Sequence, residues 1–226
     1  SGLLNAAKKL PIKSSKAKEA IELLKKWDFT VSISSVEMTL AQFYINAYYK
    51  SDKIPTITLG KRTSRLARFE YMSVGSSPEE RLEIFEESLQ QLTEDFGSWK
   101  TPWGEFNRYQ RNDGEIIQNF NDKKPSIPVG MASGRWGALA SFGTQFGKQK
   151  RRQYGTSGNS FVAVVEFGEK VTAKTILAGG QSGNPDSPHF DDQAIPYIKA
   201  KFKNVAYYKD DVLKHAKKTY HPGKEK

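Results

Sequence analysis

The spacing of apolar residues changes once along this chain, and that change confines it to helices followed by strands. Ala17, Ala20, Ile21 and Leu24 recur at i, i+3, i+4 and i+7, as on one face of an amphipathic helix. Leu40, Phe43, Tyr44, Ala47 and Tyr48 keep helical spacing behind Ser34 and Glu37, whose separation is that of a capping box. The clearest helix follows Ser77. Pro78 suits its first position, Glu80 completes a second box, Leu82, Phe85, Leu89, Leu92 and Phe96 form its stripe, and Gly97 stops it. From Ser98 to about Gly134 the pattern dissolves into Trp, Gly, Asn, Asp and Pro, which predicts a long loop. Extended segments come after it, at Trp136–Phe142, Phe161–Phe167 and Val171–Ala178, the last two joined by a turn at Gly168-Glu169-Lys170. A short strand at Val205–Tyr208 precedes a helix beginning near Asp210 and Asp211. The expected fold class is α+β, with residues 14–97 mainly helical, 98–134 a loop, and 135–226 strands plus a closing helix.

At 226 residues the chain favours one domain over two and is long enough to bury a core without staples. It has no cysteine, which excludes disulfides, thiolate-zinc sites and cysteine nucleophiles. No apolar run reaches the ~20 residues of a membrane span. The first residues lack the basic-then-apolar build of a signal peptide, so any targeting segment is expected outside this chain. The net charge of +10 is spread out. Its densest patch is Lys148, Lys150, Arg151 and Arg152, read first as a solvated loop and alternatively as a site for an anionic partner. No RNA-recognition, zinc-finger or basic-zipper pattern accompanies it, so no nucleic acid is expected. Glu79, Glu80, Glu83, Glu86 and Glu87 lie toward the positive end of the helix after Ser77, where the dipole favours carboxylates.

A self-contained active site is hard to find. There is no G-x-S-x-G elbow, and Gly143 to Lys148 misses a phosphate-binding loop by one residue of spacing and lacks its Ser or Thr. Of the three histidines, His215 falls among lysines on the last expected helix and His221 precedes Pro222 in the tail. His189, Asp191 and Asp192 offer metal-ligand chemistry, although in a Pro-flanked loop such groups more often make turn and capping hydrogen bonds. Glu166 stands out. Phe161–Phe167 is apolar on both faces and is expected to be buried on both, with Glu166 beside Val162 and Val164. Either Glu166 reaches solvent at the strand end, or it is a paired acid that holds a catalytic group from another segment.

Two blocks in order, Gly158-Asn-Ser-Phe-Val-Ala-Val-Val-Glu-Phe-Gly168 and Gly180-Gln-Ser-Gly-Asn-Pro-Asp-Ser-Pro-His-Phe-Asp-Asp-Gln193, make the chain resemble the penicillin acylase and acyl-homoserine-lactone acylase family. Weaker agreement comes from Leu24-x-x-Trp27-Asp28, Trp103-Gly104 with Arg108, and Phe202-Lys-x-Val205. The resemblance is to the C-terminal part of the large (β) subunit of these N-terminal-nucleophile amidohydrolases. It implies an αββα sandwich, cleavage of a small acyl amide by an N-terminal serine, and oxyanion donors in the preceding segments. Ser1 is not expected to be that serine, because Gly-Leu-Leu-Asn follows it instead of Asn and Trp opening a strand. By resemblance Glu166 is the acid that orients a histidine near the nucleophile. The same resemblance implies partners in the α subunit and early β subunit of one precursor, no cofactor in this chain, structural calcium only in earlier segments, no membrane partner, and a periplasmic location. This chain alone is expected to be inactive. The competing expectation is a non-catalytic module binding an anionic partner through residues 148–152.

Overall fold

The computed structural model describes residues 2–51, 53, 54, 58, 59, 62, 63, 65–138, 141–221 and 223, so Ser1 lies outside the described residues. Helices and sheet are both present, as the change of period predicts. The chain divides into two compact units.

The first unit comprises Ser1–Arg108, Ile127–Gly130 and Gln149–Gln153. Its helices are α1 (Gly2–Lys9), α2 (Ser15–Lys25), α3 (Val36–Lys50), α4 (Arg65–Glu70), α5 (Pro78–Phe96) and the single turn α6 (Trp103–Phe106). A small hairpin, β1 (Thr58–Leu59) and β2 (Arg62–Thr63), precedes α4, which runs into a π-helical turn at Tyr71–Gly75. Helix α5 is the hub and packs against α1, α2 and α3. Its ends are those the sequence predicts: Ser77 Oγ accepts from the Glu80 amide at 3.1 Å, and Gly97 takes the left-handed conformation at φ 80°. Ile84, Phe85, Leu89 and Leu92 of α5 are buried, as are Leu40, Phe43 and Tyr48 of α3. The cap of α3 falls one residue later than expected. Ser35, not Ser34, accepts from the Met38 amide (3.2 Å), while Ser34 bonds the Ser32 hydroxyl (2.9 Å).

The stretch from Ser98 to Gly134 is not one loop. It holds α6, β3 (Asn107–Tyr109) and β4 (Ile127–Pro128), and it buries Trp99, Trp103, Phe106, Phe120 and Val129. The Trp103 and Gly104 amides donate to the Ser35 and Ile33 carbonyls at 3.0 and 2.8 Å, anchoring α6 below α3. Gly104 is required there, since a Cβ would lie 2.7 Å from the Pro128 ring and 3.0 Å from Ile33. These side chains are buried singly, from turns, and so leave no period to read.

The second unit comprises Tyr109–Ser126, Met131–Lys148 and Tyr154–Lys226. Strand β5 (Phe142–Phe146) is the neighbour of β6 (Gln153–Gly158), and β7 (Phe161–Glu166), β8 (Thr172–Leu177) and β9 (Lys203–Val205) form an antiparallel sheet in that order. Helices α7 (Ala194–Ile198) and α8 (Lys209–His215) flank β9 in sequence. Two expected strands shift. Of the expected strand Trp136–Phe142, Gly134–Trp136 is a 3₁₀ turn closed by Gly137 at φ 83°, residues 139 and 140 lie outside the described residues, and Phe142 opens β5. The last strand is Lys203–Val205, ahead of the expected Val205–Tyr208.

The β7–β8 hairpin forms as predicted, with Phe161 opposite Leu177 and Glu166 opposite Thr172. Burial of β7 on both faces does not hold. Phe161, Val164 and Val165 are 60%, 56% and 44% exposed, and since Val164 and Val165 stand on opposite faces, both faces meet solvent. The register places Phe161, Ala163 and Val165 on one face with Leu177, Ala173 and Val205, and Val162, Val164 and Glu166 on the other with Ile176.

Helix α5 sets the stability of the first unit. Phe85→Ala is expected to cost about 3–5 kcal/mol through cavity formation, against about 1 kcal/mol for Ser77→Ala at the cap. Urea denaturation of the two variants checks the order.

Candidate functional site

Glu166 is the last residue of β7, and its carboxylate stands in solvent. Its one close side-chain partner on the sheet is Thr172 directly across the ladder, whose hydroxyl donates to Oε2 at 3.4 Å. Nothing in that contact consumes the second carboxylate oxygen, so the group is open to a donor from elsewhere.

At the other end of the hairpin the chain is held tightly. The Ala178 amide donates to the Ser160 carbonyl at 2.7 Å, and the Tyr197 hydroxyl of α7 donates to the Asn159 carbonyl at 2.7 Å. Asn159 Oδ1 in turn accepts from the Ser141 amide at 2.7 Å. Burial raises the Tyr197 phenol above its ordinary range, which keeps it a neutral donor.

The segment 179–193 folds back on itself. The Gln193 amide donates to the Gly179 carbonyl at 2.7 Å, and the Ser182 amide to the His189 carbonyl at 3.1 Å. Arg111 clamps this loop. Its guanidinium donates to the Ser182 carbonyl at 2.9 Å and the Gly180 carbonyl at 3.5 Å, and it lies 4.3 Å from the ring centre of the buried Phe190. Gly179, at φ 76°, leaves room for the clamp: a Cβ would meet Arg111 Nη1 and the Tyr109 hydroxyl at 2.6 Å. Burial raises the Tyr109 phenol, with the Arg111 charge opposing that rise.

The loop displays His189 and Asp192 at its surface, where His189 Nδ1 meets Asp192 Oδ2 at 2.9 Å. This hydrogen bond holds the Asp192 carboxyl below the usual carboxylate range. The structure thus pairs His189 with Asp192 and leaves Asp191 out of the pair. Among the described residues no three His, Asp or Glu side chains come together to hold a metal ion. His215 Nδ1 is engaged by the Asp211 carbonyl at 2.8 Å, one turn back on α8.

The basic patch is drawn partly into the first unit. Arg152 donates from Nε to the Glu105 carbonyl at 3.1 Å and pairs with its carboxylate at 3.4 Å, and Arg151 lies 5.6 Å from the Phe96 ring centre. The acidic block on α5 is likewise engaged. Glu83 pairs with Lys53 at 2.5 Å, and Glu80 accepts from the Tyr71 hydroxyl at 3.0 Å in place of its expected capping bond.

One buried charge had no signal in the sequence. Arg81, 6% exposed, donates from Nε to Ser76 Oγ at 3.0 Å and from Nη2 to the Ser76 carbonyl at 2.5 Å. Tyr48 completes the group with a 3.1 Å contact to Ser76 Oγ, and burial pushes the neighbouring Tyr44 phenol far above its ordinary value. Through Ser76, and through a 3.5 Å bond from Nη1 to the Gly2 carbonyl, Arg81 fastens the start of α5 to the end of the π-helical turn and to α1.

The penicillin amidase family model matches residues 2–214, nearly the whole chain. The chain belongs to the penicillin amidase family. A solved structure of thermostable penicillin G acylase from Alcaligenes faecalis matches at a TM-score of 0.48 and 15% identity, covering 97% of this chain and 44% of that one. The chain therefore spans less than half the length of that acylase. No curated protein matches. In this member of the penicillin amidase family, Ala178 and Tyr197, which flank the second of the two blocks that carried the resemblance, bond Ser160 and Asn159 of the first.

Arg111→Ala should remove the clamp while leaving the β7–β8 ladder intact. The expected loss is about 1–3 kcal/mol, the scale for charged hydrogen bonds. Faster amide exchange at Ser182 and Gln193, with unchanged protection at Val162 and Val164, would report it.

Proposed function

We propose that this chain is the C-terminal portion of an amidohydrolase that cleaves an acyl amide through an N-terminal serine carried by another part of its precursor. The family match over residues 2–214 carries this reading. In it, the serine α-amino group takes the hydroxyl proton, the hydroxyl oxygen attacks the amide carbon, the C–N bond breaks as that proton passes to the leaving amine, and water then hydrolyses the acyl-enzyme to release the acid and free the serine. Preceding segments supply the nucleophile and the oxyanion donors and cover the exposed apolar face of Phe161, Val165 and Val205. Substrates are small acyl amides of the penicillin, cephalosporin or acyl-homoserine-lactone kind, and the assembled enzyme works in the periplasm. No helix among the described residues is long and apolar enough to cross a membrane.

Glu166 is the residue of this chain that we assign to the reaction. Its carboxylate accepts from a histidine of a preceding segment and holds that ring in one orientation beside the nucleophile. Its exposed position at the end of β7, with an oxygen left over after the Thr172 contact, supports the assignment. Glu166→Gln keeps the shape and removes the charge. In the assembled enzyme it should lower kcat on the order of 100-fold, the scale for a misplaced catalytic group.

The test is an assay of acyl-amide hydrolysis by the 226-residue chain alone and after co-expression with the preceding polypeptide of its precursor. Turnover is expected only from the co-expressed protein. Turnover by the chain alone would contradict the proposal, and an unaltered kcat for Glu166→Gln would remove Glu166 from it.

A further inference from the structure

Beside the Arg81 group, two side-chain oxygens are closed off from solvent with no hydrogen-bond partner among the described residues: the Tyr44 hydroxyl of α3 and Oε1 of Glu80 on α5. A buried polar atom left unpaired forfeits its bonds to bulk water and gains none, so folded proteins pair nearly all of them. The Tyr44 ring packs edge-on against Tyr48 and Phe85, at 5.2 and 6.0 Å between centres, contacts that a phenylalanine would make equally. Its hydroxyl is the part that packing does not explain. The two oxygens share one neighbourhood. Tyr44 and Tyr71 pack on the same cluster of Tyr48, Met72 and Ile84, and Tyr71 donates to the other Glu80 oxygen, Oε2, at 3.0 Å. After burial and Tyr48, the Glu80 charge also helps to push the Tyr44 phenol upward. The remaining polar groups there are engaged elsewhere, Tyr48 with Ser76 Oγ and Arg81 with Ser76 and the Gly2 carbonyl.

The two oxygens are complementary. A neutral phenol has a proton to donate, and a carboxylate oxygen only accepts. Whatever joins them must therefore accept one hydrogen bond and donate another. A metal cation or an ammonium group cannot accept, and either would stand beside the Arg81 charge. An anion would face the Glu80 carboxylate. Water does both. We propose that one buried water molecule bridges Tyr44 and Glu80, accepting from the Tyr44 hydroxyl and donating to Glu80 Oε1. The bridge ties the middle of α3 to the start of α5 and, through Tyr71, to the π-helical turn, so that the elements around Arg81 share one hydrogen-bonded network. The chain's own side chains already close over both atoms, so the site depends neither on a further polypeptide nor on the hydrolase reading.

Tyr44→Phe gives opposite results with and without the water. Removing an unpaired hydroxyl leaves the folding equilibrium constant unchanged or raises it. Removing one that holds a bridging water should lower that constant roughly fivefold, the scale of one hydrogen bond, in urea denaturation of the 226-residue chain. The loss should fall below about twofold in a Glu80→Ala background, where the water has no carboxylate to bond. A direct bond from Tyr44 to Glu80 would give the same pair of results, and oxygen-17 magnetic relaxation dispersion separates the two. It counts the water molecules held longer than the protein takes to tumble, and Tyr44→Phe should remove one from that count. If the Glu80→Ala chain does not fold, the relaxation comparison decides alone. Unchanged or higher stability of Tyr44→Phe, an equal loss in both backgrounds, or an unchanged count of long-lived waters would overturn the proposal.

Discussion

The second unit depends on the register of β7 against β8. Side chains alternate between faces, so a slip of one residue would carry Glu166 to the face now holding Phe161 and Val165. Several contacts fix that register at the base of the hairpin, where Ala178 bonds Ser160 and Tyr197 bonds Asn159. The loop beyond β8 is held in turn by Arg111 and by its own closing bond from Gln193 to Gly179. The residues that make this chain recognisable as a penicillin amidase segment are thus largely those that fix one strand pair. Among them Glu166 ends in solvent at the close of β7, with one carboxylate oxygen left over after its Thr172 contact.

In the first unit α5 plays the corresponding part. Its apolar stripe packs against three helices, and its start is fastened by the Ser77 cap and by Arg81 buried on Ser76. A buried guanidinium costs desolvation energy that its hydrogen bonds must offset, so the group adds geometric precision more than net stability. Two of the carboxylates of the acidic block, Glu83 and Glu80, are engaged by Lys53 and Tyr71. On the basic side, Arg151 and Arg152 contact Phe96 and Glu105, while Lys148 and Lys150 stay exposed.

What could be read from the sequence was local. Ser77, Pro78 and Gly97 delimit α5 because caps act within a turn, and Val171–Ala178 followed Phe161–Phe167 because a hairpin needs only a turn and two extended runs. The exposure of β7 could not be read, since an apolar run looks the same whether or not a second sheet covers it. Trp99, Trp103 and Phe106 were hidden for a different reason: they are buried from a bend and from the single turn α6, which is too short to show a period. The clamp by Arg111 left only an indirect trace, in glycines too close together at 179 and 180 to suit a strand or a helix. His189, Asp191 and Asp192 were legible together as polar groups of one loop, but not which carboxylate would meet the ring.

In the proposed hydrolase the reacting nucleophile lies outside this chain. Intact-mass analysis of each polypeptide, after the assembled enzyme is inactivated with a serine-reactive sulfonyl fluoride, tests that placement. One sulfonyl adduct is expected on the N-terminal serine of the other polypeptide, with an unmodified mass for the 226-residue chain. A stoichiometric adduct on this chain, formed in step with the loss of activity, would contradict it.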